Sequence, residues 1–142
     1  MPRRAFCGAV PEALLYDTKH DMWVRFEAEE VLIGITAFGV FLAGEIIAFT
    51  AKPKGAVVDA GRGLGTVESA KTVHALHAPL AFTLTEANEA LEERPGPINL
   101  APYDAWLVRG RPFDRERDCA GLVDAAAYRA HVLSIEPEAV LS

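Results

Sequence analysis

One short stretch of this chain carries a residue that could support group transfer, Glu68-Ser69-Ala70-Lys71-Thr72-Val73. Two strand-like pieces flank it, Gly65-Thr66-Val67 and Val73 to His77, so Lys71 is expected at the tip of a β-hairpin. A lysine there has reach: its four-carbon stem can be lengthened by an amide-linked acyl chain, and acylation removes the ammonium charge. Taken alone, the four residues Glu68 to Lys71 equally describe a solvated turn, which is what most surface lysines occupy. His20, His74 and His77 have neither the spacing nor the cysteine neighbours of a metal site, so no metal is expected. Cys7 and Cys119 stand alone in the chain and read as two reduced thiols, Cys7 being able to exchange with a disulfide only if one lies beside it.

The elements that must hold this lysine are short strands. Trp23 to Ala28 alternates apolar and polar residues, and Val31-Leu32-Ile33-Gly34-Ile35 suits a buried strand, with Glu29-Glu30 at the turn between them. Thr36 is placed to cap a short helical turn over Ala37 to Ala43, stopped by Gly44 before the strand Ile46 to Thr50. Glycine and proline then punctuate the middle of the chain. Toward the C-terminus Leu122, Ala126, Arg129 and Leu133 recur at helical spacing behind Asp118, which predicts a docking helix of about four turns capped there. Trp23, Tyr103 and Trp106 are expected to anchor the core, with their polar tips satisfied at its edge.

Composition narrows the class. The 142 residues, 51% hydrophobic and 24% charged, fit one globular domain, and the net charge of -6 argues against nucleic acid and anionic membranes as partners. No apolar run approaches a membrane span and the N-terminal stretch lacks a secretory pattern, so a cytoplasmic protein is expected.

From Tyr16 to about Tyr128 the chain resembles the glycine cleavage system H proteins and their lipoyl-carrying relatives. The likeness is carried in order by Ile33-Gly34-Ile35-Thr36, Gly44-Glu45-Ile46, Val67-Glu68-Ser69-Ala70-Lys71, Ala78-Pro79, Glu86-Ala87-Asn88-Glu89-Ala90-Leu91, Ile98-Asn99, Pro102-Tyr103 and Trp106-Leu107-Val108. It implies lipoic acid attached as lipoyl-lysine on Lys71, with Glu68 helping a lipoate-attaching enzyme to recognise the site. It also implies a mostly β fold, a lipoyl/biotinyl-type barrel-sandwich hybrid of two antiparallel sheets with a C-terminal α-helix and a short helical turn. Residues 1–15 are then an N-terminal extension and 16–142 the H-protein-like domain. The arm's five-membered disulfide ring cannot reach a relaxed dihedral, so it opens readily and accepts a group with two electrons. The polypeptide itself would be a carrier subunit of a multi-enzyme system, with no catalysis of its own.

Departures from the H-protein pattern bear on the pathway. The family usually reads His-Glu-Trp, its carboxylate thought to lie where the aminomethyl cargo is sheltered, whereas this chain has His20-Asp21-Met22-Trp23. Methionine cannot pair with an ammonium, and Asp21 compensates only if the chain bulges. The helical turn carries Ala37, Val40 and Phe41 at polar positions of the family, Phe82 stands where a turn glycine is usual, and Asp104-Ala105 shortens a link before Trp106. Those changes, with Cys7, Pro11 and Ala70-Lys71-Thr72-Val73, resemble the lipoate-binding proteins that serve a heterodisulfide-reductase-like complex in bacterial sulfur oxidation. On that reading the arm carries sulfur intermediates, aminomethyl loading is poor, and the apolar Val40-Phe41-Leu42 face shields the dithiolane, docks a partner or packs in the core. The alternative is a glycine cleavage H protein that shuttles the aminomethyl group among glycine decarboxylase, aminomethyltransferase and dihydrolipoyl dehydrogenase. A second alternative is an unmodified interaction domain. Biotin carriers place methionines on both sides of their lysine, and Ala70 and Thr72 do not match that.

Overall fold

The computed structural model describes residues 4–142. Its strands are β1 (Cys7–Gly8), β2 (Leu15–Asp17), β3 (Met22–Glu27), β4 (Glu30–Ile35), β5 (Ile46–Ala51), β6 (Val57–Val58), β7 (Gly63–Ser69), β8 (Val73–His77), β9 (Phe82–Ala87), β10 (Val108–Pro112) and β11 (Val140–Leu141). Five short helices intervene: α1 (Ala37–Ala43), α2 (Glu89–Glu93), α3 (Gly96–Leu100), α4 (Arg115–Cys119) and α5 (Ala125–Ile135).

The β3–β4 hairpin forms where the alternation predicts it, but its turn falls at Ala28-Glu29. Glu30 joins the strand, pairing with Glu27, and Ala28 takes a left-handed φ of 53°. β3 and β4 lie inside a six-stranded antiparallel sheet ordered β2-β3-β4-β10-β9-β6, and β5-β7-β8 form a second antiparallel sheet. Ile33, Leu64, Leu80, Phe82 and Leu84, all fully buried, fill the space between the two layers. Phe82, at the position where a turn glycine is usual in the family, packs over Gly110: a Cβ there would meet the Phe82 ring at 2.2 Å.

The expected barrel closure does not occur. Among the described residues no ladder joins the two sheets, so the arrangement is an open sandwich rather than a barrel-sandwich hybrid. The edges explain it: β6 is two residues long, and β2 spends its outer hydrogen bonds on Val123, through Tyr16 N–H to the Val123 carbonyl and back. Neither edge has free backbone of a length that could continue into the other sheet.

The C-terminal helix also differs from expectation. Asp118 lies inside α4, which Asp114 caps, while α5 starts at its own cap Asp124 and runs 11 residues, about three turns. Its buried face is Ala125, Tyr128 and Val132; Leu122 precedes the helix and Leu133 is 41% exposed. Spacing from Leu122, itself a core residue ahead of the helix, does not continue along the helix's buried stripe: Tyr128 and Val132, rather than Ala126 or Leu133, face the core. Tyr128 stacks on Tyr16 with ring centroids 4.6 Å apart and planes 9° from parallel.

A third, two-stranded parallel sheet joins the chain ends, β1 beside β11, with Cys7 opposite Val140. Of the N-terminal extension, residues 1–3 lie outside the described residues. The segment from Phe6 to Leu14 crosses α1, inserting Phe6, Val10 and Leu14 into a second apolar cluster around Trp23, Phe38 and Tyr128. Phe6 lies 5.3 Å from both Phe38 and Phe41 between ring centroids. Thus Phe38 and Phe41 of α1 pack against the chain's own N-terminal segment, while Leu42 stays 47% exposed. Trp23 is fully buried and its Nε1–H donates to the Pro102 carbonyl at 3.0 Å, while Tyr103 donates to the Ala9 carbonyl at 2.6 Å.

Candidate functional site

Lys71 occupies the middle of a three-residue loop, Ala70-Lys71-Thr72, between β7 and β8. The last strand pair is Glu68 with Val73, and the loop is closed by the Ser69 N–H donating to the Thr72 carbonyl at 2.9 Å. Ala70, Lys71 and Thr72 are all exposed, whereas Val67 and Ser69 point inward and are buried. Alternation along β7 therefore turns Glu68 outward, three residues ahead of the lysine and on the outer face of the sheet.

The neighbouring strand steadies the hairpin. β5 pairs with β7, Ile46 opposite Ser69, and the register shifts between Ile46 and Ala48. At this irregularity Asn99 of α3 grips the backbone twice, accepting from Ile46 N–H at 2.8 Å and donating to the Ile46 carbonyl at 2.9 Å. Asn99 lay within the sequence resemblance, but the type of residue alone gave no sign that it braces the strand beside Lys71.

Two depressions flank α1 near the lysine. One, of about 340 Å³, is lined by Phe41 to Glu45 and by Ser69, Ala70 and Lys71. The second is a cleft of about 320 Å³ between α1, the β7–β8 hairpin and the β2–β3 turn; Leu42 and Ala43 border both. Its walls include Met22, Val67 and Leu76, and its polar groups are Lys19, His20, Asp21, His74 and His77. Gly39 lets α1 approach this closely, since a Cβ there would lie 2.8 Å from the Asp21 carbonyl oxygen.

Asp21 is where the sequence comparison was most at risk. The turn after β2 closes through Asp21 N–H to the Asp17 carbonyl, and Asp21 itself takes φ of 56°, a conformation aspartate tolerates better than most residues. The chain therefore bulges as compensation requires: Met22 enters the core, and Asp21, its side chain 14% exposed, borders the cleft beside it. Its Oδ1 accepts from the Tyr128 hydroxyl at 2.8 Å, and the Tyr128 oxygen lies 2.7 Å from Thr36 Oγ1. Burial raises the Asp21 pKa above the usual aspartate value; the Tyr128 hydrogen bond and the nearby His131 work in the opposite direction. Burial also raises the pKa of Tyr128, so its hydroxyl stays a donor across the ordinary pH range.

The histidines do not converge on a common ligand point. His20 donates from Nδ1 to Asp17 Oδ2, 2.8 Å away, and stacks on His77 at 4.7 Å, while His74 borders the cleft. Among the described residues no group of three or more His, Cys, Asp or Glu is placed to hold a metal. Cys7 lies on β1 near Phe41 and Tyr103, in a groove on the flank of α1 away from the cleft, and Lys71 does not line that groove. No helix among the described residues is long and apolar enough to cross a membrane.

Residues 14–135 match the family model described as glycine cleavage H-protein. The glycine cleavage system H protein of Methylobacillus flagellatus is 44% identical over 122 residues, covering 85% of this chain and 96% of that one. That of Geobacillus kaustophilus is 40% identical over 123 residues, covering 86% and 95%. In three dimensions the chain is similar to the crystal structure of a glycine cleavage system H protein from Mycobacterium marinum, with a TM-score of 0.74 and 30% identity over 85% of this chain and 97% of that one. These likenesses overturn the sulfur-oxidation reading, and with it the heterodisulfide-reductase-like partner. Two of the features that prompted that reading have local explanations, since Phe6 packs against Phe41 of α1 and Asp21 borders the cleft beside Met22.

Proposed function

Because the chain belongs to the glycine cleavage H-protein family, whose members are carrier subunits rather than enzymes and bear lipoic acid as lipoyl-lysine, we propose that Lys71 bears this group and shuttles the aminomethyl cargo of glycine cleavage. The observation that carries the reading is the position of Lys71, exposed on a three-residue loop one helix-end away from a cleft bordered by the half-buried Asp21. The H-protein-like unit is then residues 16–142, preceded by the extension 1–15, of which the described part packs onto it, in a cytoplasmic setting.

The residues present suit the group. The lysine side chain is free of hydrogen bonds among the described residues and open to an attaching enzyme, and the adjoining cleft is walled by apolar side chains that accept a neutral acyl chain. When attached, the lipoyl group supplies a strained disulfide able to accept a carbon group and two electrons together. The chain's own part is binding and shelter. Met22, Val67 and Leu76 exclude water from the cleft, and Asp21 offers an anion to the ammonium of the cargo. Glu68, exposed and three residues before the lysine, is placed to be read by the attaching enzyme. The partners are components of the glycine decarboxylase complex; at the finer level they are glycine decarboxylase itself, aminomethyltransferase, dihydrolipoyl dehydrogenase and a lipoate-attaching enzyme.

Loading separates this reading from its rivals. Lipoylated chain incubated with glycine and glycine decarboxylase is expected to acquire the aminomethyl mass increment efficiently, despite Met22, because Asp21 takes over the anionic role. A lipoylated chain that stays unloaded under conditions that load another H protein would refute it.

A further inference from the structure

We propose that Tyr128 is a positioning residue for the aminomethyl cargo, its hydroxyl fixing the Asp21 carboxylate in the cleft as the anion that faces the ammonium. The inference rests on the reading of the cleft given above and adds to it a link from the C-terminal helix to the cargo.

The argument begins with a conflict. A carboxylate removed from water tends to take up a proton, and a neutral Asp21 offers an ammonium no charge. Something must favour the ionised form, and the candidates on each packed element can be named. From its own turn come Asp17, Lys19 and His20. Both Asp17 oxygens are engaged, Oδ1 by the Lys19 backbone N–H at 2.9 Å and Oδ2 by the His20 ring at 2.8 Å, so this pair is closed on itself. From β8, His74 borders the cleft without bonding Asp21. At the start of α1, Thr36 reaches only the Asp21 backbone carbonyl, at 3.1 Å. From α5, His131 Nε2 stands 3.7 Å from Asp21 Oδ1, too far for a hydrogen bond. Among the described residues Tyr128 alone donates to the Asp21 side chain, at 2.8 Å.

The donor is also rigid. The Tyr128 ring is fully buried and clamped against Tyr16, and its oxygen sits 2.7 Å from Thr36 Oγ1, which in turn receives the Gly39 N–H at 2.9 Å. Helix cap, tyrosine and carboxylate thus form one chain of bonds, which leaves Asp21 Oδ2 without a hydrogen bond among the described residues and available to a ligand. A hydroxyl held this way selects the carboxylate orientation as well as its charge.

The test uses the full chain, first without the lipoyl group. With carbonyl-carbon labelling, the Asp21 carboxyl resonance is titrated in wild type and in Tyr128→Phe, a substitution that keeps the buried ring. The titration midpoint is expected to move upward in the variant. In wild type alone, the Tyr128 ring carbon bearing the hydroxyl is expected to report the same midpoint as Asp21, which keeps the test valid should the variant fold poorly. On the lipoylated and loaded chain, Tyr128→Phe is expected to lose cargo on the order of tenfold faster at neutral pH, the loss of one hydrogen bond to a charged group. Attachment of lipoate to Lys71 should proceed at the wild-type rate. An unmoved Asp21 midpoint in the variant, or a Tyr128 carbon that ignores Asp21 in wild type, would overturn the inference. Full retention of cargo by Asp21→Asn would instead overturn the underlying reading of the cleft, and the two failures are distinct.

Discussion

Replacing Phe6 by alanine probes the way the chain's two ends are held over α1. The Phe6 ring is 4% exposed and packs against Phe38 and Phe41 at 5.3 Å each, so truncation removes a buried aromatic and opens a cavity beside α1. Phe→Ala changes in cores cost about 3–5 kcal/mol. The lower figure applies here, because a segment near the terminus can shift to fill part of the space. For a domain of this size about 3 kcal/mol corresponds to a fall in melting temperature of roughly 10 °C. The same change should release the strand pair at the chain ends. Val140 N–H bonds to the Phe6 carbonyl, Ser142 N–H to that of Gly8, and Val10 N–H to that of Ser142, so these three amides should exchange faster. Circular dichroism melting with hydrogen exchange at the three amides makes the measurement. A melting temperature within about 2 °C of wild type, with unchanged protection of those amides, would refute the packing argument.

Three further substitutions test separate parts of the account. Gly34→Ala should destabilise severely, because the added Cβ would lie 2.4 Å from the ring of Trp23, which is itself fixed by burial and by its bond to Pro102; chemical denaturation measures it. Asn99→Ala should cost about 2 kcal/mol in the same assay by leaving both Ile46 backbone groups unpaired, and should quicken amide exchange at Ile46. Asp21→Asn should stabilise the unloaded chain at neutral pH while weakening cargo retention. The sign follows from burial: an aspartate whose folded pKa lies above its unfolded value binds more protons when folded, so stability falls as pH rises between the two values and stays lower above them. The variant's advantage should accordingly vanish below the unfolded aspartate value, and melting curves across pH would show whether it does.

Much of the architecture was written locally. Thr36 accepts from the Gly39 N–H as a helix cap, Gly44 ends α1 with φ of 89°, and β3, β4 and β5 lie where alternation and β-branching place them. What the sequence hid depends on partners distant along the chain. The apolar face of α1 left shielding, docking and core packing open, and Phe6, more than thirty residues earlier, packs on Phe41 there while Leu42 stays exposed. Asp21 looked displaced because the sequence does not show the left-handed backbone at that residue, which brings it to the cleft alongside Met22. The α5 stripe was misread because periodicity gives leucine and tyrosine no order of preference, and Tyr128 won the core by stacking on Tyr16. Barrel closure was expected from resemblance, and the length of β6 decides against it. The lysine itself was legible as a motif, since a short loop between neighbouring strands is a local event.

The central claim concerns the Lys71 amine, and intact-mass spectrometry with peptide mapping of the chain co-expressed with a lipoate-attaching enzyme and supplied with lipoate addresses it most directly. The account predicts one lipoyl adduct, located on the peptide containing Lys71 and absent from Lys71→Arg. An adduct persisting in that variant, or a wild-type chain that stays unmodified while an H protein in the same cells is lipoylated, would contradict it.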